Sequence, residues 1–289
     1  FSGSGQKLEL DLVHDSGENN WRTADNTFAE GTEFTALEVT LKDKYAVVRE
    51  NVTETNFTWT SPTATKVSLR GTVTFVYPEA TGIPIDEEHF PDPIFRQYIS
   101  DNFDENSNDY LSDEEIDKVK NISVGESGIS SLEGIEYFPE LTLLICKKNS
   151  LTELDLSANT KLTYVMCGDN QLTTLDVSNN TALEYLSCGG NQLTELNVAD
   201  NTALESLMCI DNLLTEIDVS NNTALKELYC NGNQLTELDV TNNTALTAVT
   251  CMNNKLSHII YGDNTLEHLD EGIGIGFFGS DQSLSLIHI

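Results

Sequence analysis

The side chains best equipped for chemistry lie in one twelve-residue stretch, Asp104-Glu105-Asn106-Ser107-Asn108-Asp109-Tyr110-Leu111-Ser112-Asp113-Glu114-Glu115. A hard divalent cation needs six to eight oxygens, and loop positions 1, 3, 5, 7, 9 and 12 supply them in the helix-loop-helix calcium motif. Asp104, Asn106, Asn108, the Tyr110 carbonyl, Ser112 directly or through a water, and Glu115 occupy those positions, and apolar Leu111 takes the eighth. Position 6 holds Asp109 where the motif uses glycine for its positive φ. Aspartate tolerates the left-handed region better than most side chains, so the loop is weakened and not excluded. The expectation is a structural Ca2+ and no organic cofactor, against the plainer alternative of an acidic segment that only starts a helix.

Cysteine is the next reactive type. Cys146, Cys167, Cys188, Cys209, Cys230 and Cys251 follow one another at intervals of 21 residues. In a repeat of that length, equivalent residues stack on adjacent parallel strands about 4.8 Å apart, with side chains pointing the same way. Disulfide Cβ atoms must approach to about 3.8 Å, so a ladder of this kind suits buried free thiols better than bridges. Thiols in line cannot surround a tetrahedral zinc, and no CxxC pair exists. His14, His89, His258 and His268 show no HExxH or paired spacing, and no GxSxG occurs. The chain is therefore read as a non-enzyme.

Elements that would hold the acidic loop are well marked. Asp92-Pro93 gives an N-cap followed by proline at the first helical position, and Ile94, Phe95, Tyr98 and Ile99 make one apolar face. Ser112 and Glu115 form a capping box at the second helix, with Leu111 and Ile116 spaced as a hydrophobic staple. Residues 84–128 are thus expected to form a small EF-hand-like helical cap that closes the first edge of a repeat array beginning at 129.

Residues 129–272 read as a repeat array whose unit, LxxLxCxxNxLTxLDVSxNTA, holds its phase from Leu141 to Leu246, with a looser half-unit before it at Ile129, Leu132, Ile135 and Phe138. Six periods in register predict a leucine-rich-repeat solenoid with a parallel β-sheet. Each unit nests two similar halves, both expected to be extended, with inward apolar residues and a closing asparagine. The two asparagine files, Asn149 to Asn254 and Asn159 to Asn264, are expected to bond backbone at each bend. Outward sites on the Cys half vary from repeat to repeat: Leu143 and Ile145, Tyr164 and Met166, Tyr185 and Ser187, Ser206 and Met208, Glu227 and Tyr229, Ala248 and Thr250. A stripe rich in Tyr and Met is large, adaptable and apolar, which suits a partner-binding face. On the other half, Glu153/Asp155, Glu195/Asn197, Glu216/Asp218 and Glu237/Asp239 form an acidic ladder, read as a solvated face.

Residues 1–83 alternate apolar and polar positions, as in Val67-Leu69-Gly71-Val73-Phe75, which predicts an N-terminal antiparallel β-sandwich. Within it, the run from Trp21 to Thr35 resembles immunoglobulin-like modules of secreted proteins from Gram-positive gut bacteria. The 21-residue repeat with cysteine at one strand position resembles the internalins, surface proteins of Gram-positive bacteria. That resemblance covers about half of the chain. It implies an adhesin-like protein, extracellular or on the bacterial cell surface, whose repeat sheet recognises a host protein or a mucin-like glycoprotein. Here the immunoglobulin-like segment precedes the cap, a departure from the family's order. A stalk presenting a further domain is the alternative.

Totals narrow the partners. Fifteen basic residues against 47 acidic give a formal net charge of -32. That charge repels phosphate backbones and anionic headgroups, so no nucleic acid is expected. No apolar run is long enough to span a bilayer, and a monomer is expected. Phe1 reads as a trimmed or mature start. Residues 273–289 read as an irregular, truncated end, whose last six, Leu284 to Ile289, match the translation of a sequencing-adapter sequence.

Overall fold

The computed structural model describes residues 82–262 throughout and, outside them, only the backbone of eight strands. Two compact units result, one of residues 1–81 with 105–108, the other of 82–104 with 109–289. The first contains β1 (Ser4–Asp15), β2 (Asn20–Thr23), β3 (Glu33–Ala36), β4 (Val39–Lys42), β5 (Tyr45–Val48), β6 (Glu54–Thr60) and β7 (Ser68–Val76). They close in the order β1-β2-β5-β4-β3-β6-β7, with β1 and β7 parallel and the other pairs antiparallel. Residues 24–32, the middle of the immunoglobulin-like run, lie outside the described residues.

In the second unit β8 (Ile83–Pro84) pairs antiparallel with β9 (Tyr110–Leu111). Between them runs α1 (Pro93–Phe103), and α2 (Asp113–Lys118) follows. Asp92 caps α1 by accepting the N–H groups of Ile94 at 2.9 Å and Phe95 at 3.0 Å, satisfying donors that a helix start leaves open. Ser112 and Glu115 form the expected capping box on α2. Phe95 and Ile99 are wholly buried, whereas Ile94, placed on the same face by periodicity, is exposed.

The solenoid is a seven-stranded parallel sheet of β10 (Asn121–Ser123), β11 (Leu143–Ile145), β12 (Tyr164–Met166), β13 (Tyr185–Ser187), β14 (Ser206–Met208), β15 (Glu227–Tyr229) and β17 (Ala248–Thr250). Their pairing advances by 21 residues per strand from β11 to β17, as in Leu144 with Val165 and Leu186 with Leu207. Behind the sheet a continuous core runs from Phe90 to Ile259, one layer of Leu, Val and Cys per turn. Ile135–Tyr137 forms a 3-10 turn ahead of the first full repeat.

The second half of each repeat departs from the expected extended form. Among the described residues only β16 (Glu237–Asp239) and β18 (His258–Tyr261) are strands there, pairing in parallel, with the backbone of β19 (Ser285–His288) beside β18. Elsewhere the chain turns instead. Asp155, Asp176 and Asp218 each accept the N–H two residues on at 2.9 Å, and Asn197 does so at 3.0 Å. Asp239, the last residue of β16, accepts the Thr241 N–H in the same way at 2.9 Å, so this bond closes the half-repeat whether or not it pairs as a strand. Leu154, Leu175 and Leu196 still point inward and are buried.

Both asparagine files hold the bends. Asn191 Nδ2 donates to the carbonyls of Cys167 at 3.1 Å and Cys188 at 2.9 Å, and the pattern recurs at Asn170, Asn212 and Asn233. In the second file Asn201 Nδ2 donates to Val177 and Asn180 carbonyls at 2.9 Å each. Asn264 lies outside the described residues.

Candidate binding face

Because strand residues alternate, Leu144, Val165, Leu186, Leu207, Leu228 and Val249 fill the core and their neighbours face outward. Leu143, Tyr164, Tyr185, Ser206, Glu227 and Ala248 form one row across the sheet, and Ile145, Met166, Ser187, Met208, Tyr229 and Thr250 form the next. All are half-buried except Ser206, which is only 8% exposed. Its covering departs from the outward reading and has a visible cause. The Tyr185 hydroxyl reaches from β13 onto Met208 Sδ of β14 at 3.2 Å, while Ser206 Oγ donates to Glu227 Oε2 of β15 at 3.0 Å, so neighbours from both sides flank a small side chain.

Tyr164 and Tyr185 stack with ring centroids 4.2 Å apart and planes 5° from parallel. In-register strands place such rings one sheet spacing apart, which makes stacking the natural packing. The Tyr164 hydroxyl sits 3.3 Å from Met166 Sδ. Both phenols meet sulfur, a weak acceptor, and the Tyr185 hydroxyl also has the Tyr164 and Ser187 side chains as hydrogen-bond partners. Burial pushes the Tyr185 phenol up to about 12, with Tyr164 and the Glu227 charge adding to the rise.

The acidic ladder from Glu153 to Asp218, without Glu237 and Asp239, borders a groove of about 1290 Å³ where a plain solvated face was expected. Glu133 and Glu136 join Glu153, Glu195 and Glu216 along it. Monotony of the repeat signalled the charges but not the depression, which arises because these half-repeats turn instead of pairing as strands.

The six thiols are buried and free. Burial pushes Cys167 and Cys209 up to about 12, so they stay protonated, weakly polar core groups.

In the acidic loop, Asp104 Oδ2 accepts the Asp109 N–H at 2.9 Å, and Asp109 has φ of 61°, the left-handed conformation that glycine would otherwise supply. Tyr110 and Leu111 lie in β9, and Ile85 donates its N–H to the Asp109 carbonyl at 2.8 Å. Glu115 is 5% exposed, and its Oε2 accepts the Ser112 N–H at 2.8 Å and the Ser112 hydroxyl at 2.7 Å. Asn106 and Asn108 belong to the 105–108 segment of the first unit. Among the described residues, no three His, Cys, Asp or Glu side chains converge as a metal-holding group.

One alignment was missed in sequence: His258 Nε2 lies 2.6 Å from Glu237 Oε2, and its Nδ1 lies 2.9 Å from Ser257 Oγ. Ser257 Oγ also reaches the Thr236 carbonyl at 3.3 Å, and none of the three residues borders the acidic groove. His258 and Glu237 pair in register on β18 and β16, which makes their contact a tie between turns. Among the described residues no helix is long and apolar enough to cross a membrane.

No protein-family model matches the chain. Internalin J of Listeria monocytogenes is 39% identical over 71 residues, which is 25% of this chain and 8% of that protein. The matched stretch therefore spans a small part of that relative's length. The functional domain of internalin J from Listeria monocytogenes, described as including a cysteine ladder, is 28% identical, with 66% of this chain and 60% of that one covered at a TM-score of 0.42. An internalin (inlF) from Listeria monocytogenes is 24% identical, with 63% and 58% covered at a TM-score of 0.53. The second unit is a parallel-sheet solenoid of about seven turns, consistent with a leucine-rich-repeat solenoid and similar in fold to that internalin.

Proposed function

We propose that this chain is a non-enzymatic, extracellular or cell-surface binding protein, adhesin-like, that recognises a protein or glycoprotein through the outward face of β11 to β17. The observation that carries the reading is the Tyr164–Tyr185 stack, extended by Met166 and Met208 into an apolar patch on a sheet face otherwise surrounded by acid. Large aromatic and thioether side chains supply contact area at low entropic cost, as interfaces use them. The sequence likeness to internalin J supports the same reading. Replacing Tyr164, Tyr185 and Tyr229 with serine should abolish retention on mucin-coated surfaces or host cells. Unchanged retention would leave a stalk that holds another domain as the better account.

We further propose a structural Ca2+ in the 104–115 loop, held by Asp104, Asn106, Asn108, the Tyr110 carbonyl, Ser112 and Glu115. Support comes from the left-handed Asp109 and from the Asp104–Asp109 bond, which give the backbone the bend a calcium loop needs. Millimolar calcium should raise the thermal midpoint of the full chain, and Glu115→Gln should remove that rise. No heat on calcium titration would dismiss the site.

A further inference from the structure

Tyr185 and Glu227 flank Ser206 from the strands on either side of β14. Row order is Tyr164, Tyr185, Ser206, Glu227, and each step is one strand spacing, about 4.8 Å. Tyr164 covers one face of the Tyr185 ring at 4.2 Å. The opposite side is turned toward β14, where the ring's hydroxyl rests on Met208 Sδ and the Glu227 carboxylate comes back from β15 to Ser206 Oγ. An aromatic ring and a carboxylate therefore stand on either side of one small serine, each bonded to β14. The Glu227 charge is felt at the Tyr185 phenol, whose ionisation it opposes.

The surroundings have one sign. Glu184 and Glu205 are exposed beside the same strands, and the nearby cation Lys226 is spent on Glu205, with Nζ 2.8 Å from Oε1. The whole chain carries a formal net charge of -32. A sialylated or sulfated glycan would meet repulsion here, whereas a cation would be drawn in and oriented. A guanidinium suits the pair best, because its plane stacks on an aromatic ring while its edge donates two parallel N–H groups to a carboxylate.

Resting on the binding-face reading, we propose that the partner is a basic protein whose contact segment seats an arginine between Tyr185 and Glu227. The full chain is titrated with a labelled poly-arginine peptide, and with poly-lysine of equal length, by fluorescence anisotropy at physiological salt. Poly-arginine should bind more tightly than poly-lysine. Tyr185→Ser and Glu227→Gln should each weaken poly-arginine about tenfold, as loss of one stacked or charge-assisted contact does. Tyr185→Phe, which keeps the ring, should leave binding unchanged, and so should Glu195→Gln and Glu216→Gln in the acidic groove. Equal weakening by the groove substitutions, or no preference for arginine, overturns the proposal in favour of a diffuse field. If Tyr185→Ser loses retention on mucin yet leaves poly-arginine binding intact, the basic partner is overturned while the binding face stands. If neither changes, both readings fall.

Discussion

The side-chain oxygen of Asn191 accepts the backbone N–H of Leu172, nineteen residues earlier, at 3.0 Å. With its amide on the carbonyls of Cys167 and Cys188, one buried side chain joins two turns of the solenoid through three bonds. Leucine cannot replace it without leaving backbone groups unpaired in a core that excludes water.

Asn191→Ala should therefore cost about 3 kcal/mol, on the order of the penalty for orphaning buried backbone groups. Asn191→Asp keeps an acceptor but loses both donors and should be nearly as damaging. Denaturant unfolding followed by circular dichroism measures both. A loss below about 1 kcal/mol for the alanine variant, within the range of one ordinary hydrogen bond, would show that the ladder is not a main support.

The thiols predict an alkaline weakness. Burial raises Cys167 and Cys209 from 9.0 to about 12, and Cys146, Cys188 and Cys230 rise well above 9.0 for the same reason. Their folded values exceed their unfolded ones, so the unfolded chain releases protons first. The stabilisation is complete below pH 9.0 and is lost as pH climbs toward 12. Unfolding midpoints should fall steadily above pH 9.0, less steeply in a Cys167→Ala/Cys209→Ala variant. A thiol reagent should label none of the six until the chain unfolds.

Gly190 is confined from two directions. Its φ is +67°, and an added Cβ would stand 2.5 Å from the Asp169 carboxylate one repeat earlier. Asp169 itself has φ of 55°. Gly190→Ala should cost about 2 kcal/mol through backbone strain and the clash together. Adding Asp169→Gly removes the clash and should restore part of the loss. Equal stability of the single and double variants, measured by chemical denaturation, would assign the whole effect to backbone strain.

Asp92 couples the start of α1 to the repeats, since its second oxygen accepts the N–H and the hydroxyl of Ser130 at 2.8 Å each. Burial by itself would raise this carboxyl, but bonds from Ser130, Phe95 and Ile94 outweigh it and hold the group below 3.8. A lowered folded value means that the stabilisation is present above pH 3.8 and is lost as pH falls through the folded value. Asp92→Ala should cost about 2 kcal/mol at neutral pH and little once both states are protonated. Flat stability differences across acidic pH would remove the carboxylate from this role.

The period made the sheet readable because one inward residue type returns at each strand: a Leu or Val at 144, 165, 186, 207, 228 and 249 admits one register. The capping box at Ser112 and the proline after Asp92 marked both helices for an equally local reason. What periodicity concealed was the conformation of the second half-repeat. Leu154 and Leu156 alternate as strand residues do, yet that half-repeat is not a strand, although Asp155 makes the same bond to the second residue on that Asp239 makes at the end of β16. Nor did spacing show that Ser206 would be covered, because that depends on the reach of Tyr185 and Glu227 from flanking strands. Long side chains report their destination only when their neighbours are in place.

The asparagine bonds recur at a constant offset, so an excision that joins equivalent positions of two repeats restores the same contacts on both sides of the cut. A gene with this structure can shorten or lengthen by unequal recombination and still encode a folded product. Each such event removes or duplicates one row of the outward face, bringing Tyr164 beside a new neighbour or moving Glu227 closer to Tyr185. The ladder that fastens the turns thereby lets copy number rearrange the outward face without loss of the fold.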